Sequence, residues 1–305
     1  MKILTLGSGF VADHLPYEKV SDRIGMDLDL DSMLRAGQES VFITSMLKRH
    51  KPDVLINCIG KTGRPNVDWC ESNREITAAT NVALPILLAE ACVKQGTHLI
   101  QIGSGCIYFG PSPCKGHTSG AKDPGWRETD FANPESFYSK TKYACDLVLG
   151  QMSHVTTLRI RMPVSDRAVA RNLITKLKGY KQVIDIPNSM TVMSDLVRCI
   201  DWATTNRPGG IFHVANPEPL TAARIMREYQ KYVPEHQFEI ITEGQLDQMT
   251  VAKRSNCILN TDKLKAAGFK MSSSEEALTE CMAGYVNDMR DSTAKHRDNI
   301  ESANV

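Results

Sequence analysis

Charge of one sign is missing from this chain. Its 36 Lys and Arg stand against 35 Asp and Glu in 305 residues, a formal net charge of +1. That balance gives no general field toward nucleic acid or an anionic membrane, so a bound phosphate must be held by a local site. Metal-ligand spacing is missing too: the nine Cys contain no Cys-x-x-Cys pair and the eight His no His-x-x-x-His pair. An odd cysteine count without such spacing argues against a disulfide scaffold or a metal site, and for reduced thiols in the cytoplasm. No apolar run approaches the ~18 residues that a membrane span needs. Met1 to Leu6 already reads as a strand, which leaves no room for a leader. Repeats and low-complexity stretches are absent, and 42% hydrophobic with 23% charged residues is ordinary globular composition. At roughly 100–200 residues per domain the chain holds one large domain or two modest ones.

What is present is an alternation. Apolar runs at Ile3 to Leu6, Val54 to Ile59, His98 to Ile102 and Val155 to Ile160 read as strands. Gln38 to His50, Ile76 to Lys94 and Glu135 to Gly150 lie between them and carry apolar residues at helical steps. Continuous apolar strands suit a parallel sheet covered on both faces, so the expected fold is α/β, a doubly wound parallel sheet. The dinucleotide-type domain is expected over 1–162. A helix near Met193 to Thr205 and a strand at Ile211 to Ala215 return to it, within about 190–216. The remainder of 163–305 is expected to form a small C-terminal substrate lobe, with short helices from Ala222, Thr261 and Ser274 and a frayed tail from Asp291. The segment Gly110 to Pro134 holds 8 Gly or Pro in 25 residues and reads as a long loop over the carboxyl edge of the sheet.

Two motifs carry chemistry. Gly7-Ser-Gly9-Phe10-Val11-Ala12 follows the first strand and fits Gly-x-Gly-x-x-Ala. Gly7 permits a tight turn, Gly9 a close approach of a pyrophosphate, and Ala12 the packing of a following helix whose N–H groups face the phosphates. The ribose-binding acid would be Asp27, in a run that also holds Asp29 and Asp31. Arg35 could accept a 2′-phosphate instead, which leaves NAD and NADP both open. The second motif is Tyr138-Ser-Lys-Thr-Lys142 on an expected helix. Its i, i+4 spacing puts both side chains on one face, where an ammonium favours the phenolate.

With Ser104 at the end of the preceding strand, Tyr138 and Lys142 resemble the catalytic constellation of the extended short-chain dehydrogenases, a Rossmann-type family. Cys106, in Ser104-Gly-Cys106-Ile-Tyr108, is similar to the acid/base thiol of GDP-fucose synthases. Further strings occur in order: Thr62-Gly-Arg64-Pro-Asn66-Val-Asp-Trp69-Cys-Glu71, Leu158-Arg-Ile-Arg161-Met-Pro163, Asn172-Leu-Ile-Thr-Lys176, Asp185-Ile-Pro-Asn188 and Arg254-Ser-Asn256. Over about Pro52 to Lys265 they resemble the bifunctional UDP-4-keto-6-deoxyglucose 3,5-epimerase/4-reductases.

That resemblance implies that Tyr138, Lys142 and Ser104 act on a C4 ketone, with Cys106 and Lys176 exchanging protons at C3 and C5. The glycine motif places Gly7, Gly9, Phe10 and Val11, with Asp27 or Arg35, at a nicotinamide cofactor, although the first 50 residues depart from the family; the resemblance adds Asn57, Cys58, Gly60, Lys142, Arg161 and Pro163, NADPH ahead of NADH. It assigns Arg64, Ser104, Cys106, Tyr138, Asn172, Lys176 and Arg254 to the nucleotide-sugar. It also implies a homodimer, and no nucleic-acid or membrane partner.

Overall fold

A computed structural model describes residues 1–16, 23–26, 39–113 and 123–303. Strands β1 (Ile3–Leu6), β2 (Arg23–Met26), β3 (Val54–Asn57), β4 (His98–Ser104), β5 (Val155–Ile160) and, later in the chain, β9 (Gly210–Val214) form one sheet in the order β2-β1-β3-β4-β5-β9. Every pairing in it is parallel. The order reverses between β1 and β3, and in such sheets ligands bind at the carboxyl ends beside that reversal.

Each strand feeds both faces, because successive side chains alternate. Leu4, Leu6, Leu55 and Leu99 pack under α1 (Glu39–His50) and the helices that follow β3 and β4. Ile3, Val54, Ile56, Ile100 and Leu158 point the other way, onto the helix Met193–Asn206 and the Phe269–Met271 turn. The helical run after β3 comprises α2 (Asp68–Ser72), α3 (Arg74–Ala78), a π turn (Ala79–Ala83) and α4 (Leu84–Gln95). Against the expectation that no apolar run reaches this length, Arg74–Gln95 is long and apolar enough to cross a membrane by length and composition, an 18-residue window in it having a mean hydropathy of 1.7. Its apolar residues include Leu84, Leu88 and Ala89, which fill the core against the sheet.

The long loop expected at Gly110 to Pro134 lies partly outside the described residues; from 123 the chain leads into α5 (Phe137–Leu149), which starts at an N-cap: Ser136 Oγ accepts from Ser139 N at 3.1 Å. Past β5 come β6 (Pro163–Val164), α6 (Leu173–Lys178), β7 (Gln182–Ile184), β8 (Thr191–Val192), α7 (Met193–Asn206), α8 (Ala222–Gln230), β10 (Glu239–Ile241), α9 (Glu243–Met249), α10 (Asp262–Ala266) and α11 (Ser274–Ala303). A second apolar cluster forms here, joining α6, α8 and α11 through Ile174, Leu177, Met226, Tyr229, Met282 and Tyr285. The tail expected from Asp291 is corrected: α11 runs 30 residues and its backbone stays helical to Ala303. Ala, Lys, Arg and Glu in that stretch are good helix formers, so a polar composition alone does not end the helix.

Residues 252–260 form a strap that packs Cys257 and Leu259 against Ile107, Tyr108, Trp126 and Ala215. Gly110 N donates to Asn256 O at 3.0 Å, Ser189 N to Cys257 O at 3.0 Å and Trp126 N to Ile258 O at 2.7 Å.

Candidate functional site

At the end of β1 the chain turns at Gly7, whose φ of +110° lies where side chains are strained. A Cβ there would also meet Ile59 Cγ1 at 3.3 Å. The helix expected after this turn is corrected. Among the described residues it is only a 3-10 turn, Ala12–His14, after which Leu15 is extended at φ −80° and ψ 134°. Leu15 precedes Pro16, and a proline ring drives the preceding residue out of the helical region. Cations from elsewhere approach instead. Arg171 Nη1 lies 3.4 Å from where a Cβ on Gly9 would stand, and Arg167 Nη1 donates to Asp13 O at 2.7 Å. Phe10 is buried and Val11 half-buried. Asp27 and Arg35 lie outside the described residues.

The end of β3 is fixed internally. Asn57 Nδ2 donates to Gln101 Oε1 at 2.8 Å and Asn57 Oδ1 accepts from Ile59 N at 3.1 Å. With both ends of the amide engaged inside the protein and no exposure, Asn57 shapes the end of the strand. Burial pushes the Cys58 thiol up to about 12, so it stays protonated. Asn81 was not legible in the sequence. Standing in the π turn, it accepts from Lys61 N at 2.8 Å, donates to Lys61 O at 3.0 Å and donates to Thr141 Oγ1 on α5 at 3.2 Å. It thereby ties the loop after β3, with Gly60, to α5, a use typical of π bulges.

Tyr138, Lys142 and Asp146 follow one another at four-residue steps on the buried face of α5. Burial drives the Tyr138 phenol well above the ordinary tyrosine range, and the nearby Cys106 adds to it. A hydrogen bond with Ser104 pulls the other way. The phenol therefore keeps its proton at neutral pH and is a donor. Lys142 Nζ, also buried, donates to Ile102 O at 3.0 Å. Ser104 Oγ accepts from Cys106 N at 3.2 Å, which sets the 3-10 turn Gly105–Ile107 directly past β4. Within this turn a Cβ on Gly105 would stand 2.6 Å from Leu259 Cδ1 of the strap, so glycine is required for the close approach. Cys106 is half-buried, and its Sγ accepts from Arg161 Nη1 at 2.8 Å.

Other expected site residues scatter. The Arg161 guanidinium is buried among Cys106, Asn188 and Ser255, on the strap side of the sheet end. Pro163 opens β6. Asn172, expected at the sugar, is corrected: it is fully buried and spent as the N-cap of α6. Its Nδ2 donates to Ser165 O at 2.6 Å and Arg167 O at 2.8 Å, while Oδ1 accepts from Ile174 N at 3.1 Å. Lys176 is half-buried on α6 and is held below the ordinary lysine range, first by burial and then by Arg171. No hydrogen bond or ion pair among the described residues joins it to Cys106.

Two cavities flank this cluster. One of about 310 Å³ is lined by Gly60 to Arg64, Trp69 and Arg171. Another of about 950 Å³ opens between Asn66, Asp68, Tyr180, Phe238 and Arg254. Arg254 forms a two-pronged ion pair with Asp68 at 2.8 and 2.9 Å. Tyr138 and Cys106 lie outside both linings.

The family described as the RmlD substrate binding domain matches residues 1–287. A bifunctional dTDP-4-dehydrorhamnose 3,5-epimerase/dTDP-4-dehydrorhamnose reductase of Arabidopsis thaliana is 39% identical over 245 residues, 79% of this chain and 80% of that protein. A trifunctional UDP-glucose 4,6-dehydratase/UDP-4-keto-6-deoxy-D-glucose 3,5-epimerase/UDP-4-keto-L-rhamnose-reductase of the same plant is 37% identical over 238 residues, 77% of this chain but 35% of that longer protein. Among solved structures, the L780 UDP-rhamnose synthase of Acanthamoeba polyphaga mimivirus superposes with a TM-score of 0.82 at 28% identity, covering 93% of this chain and 99% of that one.

Proposed function

The chain belongs to the RmlD substrate binding domain family, and from that premise we propose that it converts UDP-4-keto-6-deoxyglucose to UDP-β-L-rhamnose. It inverts C3 and C5 and then reduces the C4 ketone. The observation that carries this reading is the gathering of a protonated phenol, a serine hydroxyl, a buried ammonium and a half-buried thiol at the end of β4 and one face of α5.

A nicotinamide dinucleotide fits the chain on one structural ground: the Gly7 to Gly9 turn has a backbone that only glycine adopts without strain at Gly7. Gly7, Gly9, Arg171 and Lys142 would hold it, NADPH before NADH. When bound it supplies the hydride. The remaining work belongs to side chains. Ser104 Oγ and the Tyr138 hydroxyl hold the ketone oxygen, and Tyr138 delivers its proton as the alcohol forms. During epimerisation the same two donors stabilise the enolate oxygen. Cys106 takes or returns the proton on one face of the ring, and Lys176, made less basic by burial, serves the opposite face. The diphosphate lies toward Arg64 and Arg254.

All eight described cysteines are free thiols, in keeping with work in a reducing cytoplasm. Exposed Val93 on α4 and Leu147 and Val148 on α5 offer an apolar face to a second copy, a homodimer that size-exclusion chromatography would detect.

Incubation with the 4-keto sugar and NADPH should consume the cofactor. In deuterium oxide without NADPH, C3 and C5 should exchange, and Cys106→Ser should abolish at least one exchange. Consumption of the pre-inverted sugar without any exchange overturns the epimerase half and leaves a ketoreductase.

A further inference from the structure

Arg161 is a buried cation, only 4% exposed, and among the described residues no carboxylate hydrogen-bonds to it. Nε donates to Asn188 Oδ1 at 3.0 Å, Nη2 to the carbonyl of Ser255 and Nη1 to Cys106 Sγ at 2.8 Å, while its backbone N donates to Thr191 Oγ1 at 2.9 Å. The Cys257 sulfur lies near the same guanidinium. A guanidinium so enclosed needs a counter-charge, because an uncompensated ion in a dry interior is strongly disfavoured. Among these partners only the two sulfurs can become anionic. Cys257 is excluded by its surroundings: it is 2% exposed and its Sγ donates to Gly105 O at 3.4 Å, which keeps the hydrogen on the sulfur. Cys106 is the half-exposed one, beside Ser104 and Tyr138.

We propose that Arg161 is the positioning residue of the epimerisation chemistry, aiming the Cys106 sulfur and serving as the counter-ion of its thiolate. This rests on the proposed epimerase reading. The thiolate removes the proton from a ring carbon next to the ketone, and the C–H electron pair moves into the carbonyl to give an enolate held by Ser104 and Tyr138. The Lys176 ammonium then returns a proton to the opposite face, and exchange with solvent resets the thiol and the amine. Arg161 transfers nothing. Its two other donors, fixed on Asn188 and the strap carbonyl, hold the fork rigid, so that Nη1 remains directed at the sulfur throughout.

Two measurements test it. The first needs no variant: alkylation of Cys106 by iodoacetate and by iodoacetamide, followed by peptide mass spectrometry, with glutathione as the reference thiol. A guanidinium beside the sulfur attracts the anionic reagent, so the iodoacetate/iodoacetamide rate ratio should exceed that of glutathione by about threefold or more at low salt. A ratio equal to or below glutathione's overturns the proposal. In Arg161→Gln the excess should vanish, and in Arg161→Lys it should persist; an excess that survives Arg161→Gln also overturns it.

The second separates positioning from mere support of the fold. Arg161→Gln should lower Cys106-dependent deuterium exchange by about 100-fold, while reduction of the pre-inverted 4-keto sugar stays within about threefold of wild type. Equal loss of both activities, or unchanged exchange, overturns the proposal. Absence of exchange in the wild-type protein would remove the epimerase reading itself, and the alkylation ratio would still decide whether Arg161 and Cys106 form an ion pair.

Discussion

Asp146→Asn should be among the most damaging isosteric changes in this protein. Asp146 sits two turns beyond Tyr138 on the same face of α5, and its Oδ2 accepts from Arg159 Nε on β5 at 2.7 Å, both side chains being 2% exposed. The rest of the guanidinium is engaged by neutral groups, with Nη1 2.7 Å from the Tyr108 hydroxyl and 3.1 Å from His213 Nε2. Asparagine keeps the shape but removes the carboxylate that Arg159 contacts directly, leaving only the more distant Glu128 to offset its charge. Breaking one partner of a buried pair costs about 3–5 kcal/mol. At roughly 2 °C per kcal/mol for a chain of this size, Tm should fall by about 6–10 °C. Removing both partners in Asp146→Leu with Arg159→Met should recover most of that loss, because apolar replacement of a whole buried pair is often close to neutral. Urea unfolding of the wild type, the two single variants and the double variant gives the cycle. A loss below about 1 kcal/mol in Asp146→Asn, or a double variant no more stable than the worse single one, would refute the charge argument.

Lys142→Met keeps the volume and removes the ammonium beside Tyr138; ketone reduction at neutral pH should fall by about 10²–10³ with little change in Tm. Gly105→Ala puts a methyl group 2.6 Å from Leu259 Cδ1. It should cost about 1–3 kcal/mol and also slow reduction, since Ser104 and Cys106 flank that residue. Burial holds His98 at about 4, well below its ordinary 6.5, with the ring against Thr156 Oγ1 at 2.8 Å. The unfolded chain therefore binds a proton that the folded one refuses, so stability is full above pH 6.5 and declines as pH falls toward 4. The loss reaches up to about 3 kcal/mol, and His98→Gln should flatten that slope in acid unfolding.

How much was legible follows from how local each feature is. The main strands, and α5 with its Tyr138 and Lys142 spacing, depend on periods of two and 3.6 residues, so they can be read along the chain. The turn after β1 was misjudged because the glycine pattern suggested a helix that Pro16 forbids. Asn172 carries the right chemistry for ligand contact, and only coordinates reveal that its amide is already satisfied. Arg171 and the Asp146–Arg159 pair were invisible for another reason. The contacts that matter join residues far apart in sequence, Gly9 with Arg171 and α5 with β5. Asn81 escaped because a π turn shifts the register of a helix that otherwise looks regular.

The strap over residues 252–260 has a bearing on how the protein is made. Ser255 supplies the carbonyl that steadies Arg161, its Oγ donates to Tyr108 O at 2.5 Å, and Leu259 backs Gly105. A ribosome that has completed the sheet through β9 has thus delivered the phenol, the ammonium and the thiol without the wedge that seats them. The contacts that seat Arg161 and Gly105 therefore form only once the chain through Leu259 has been made.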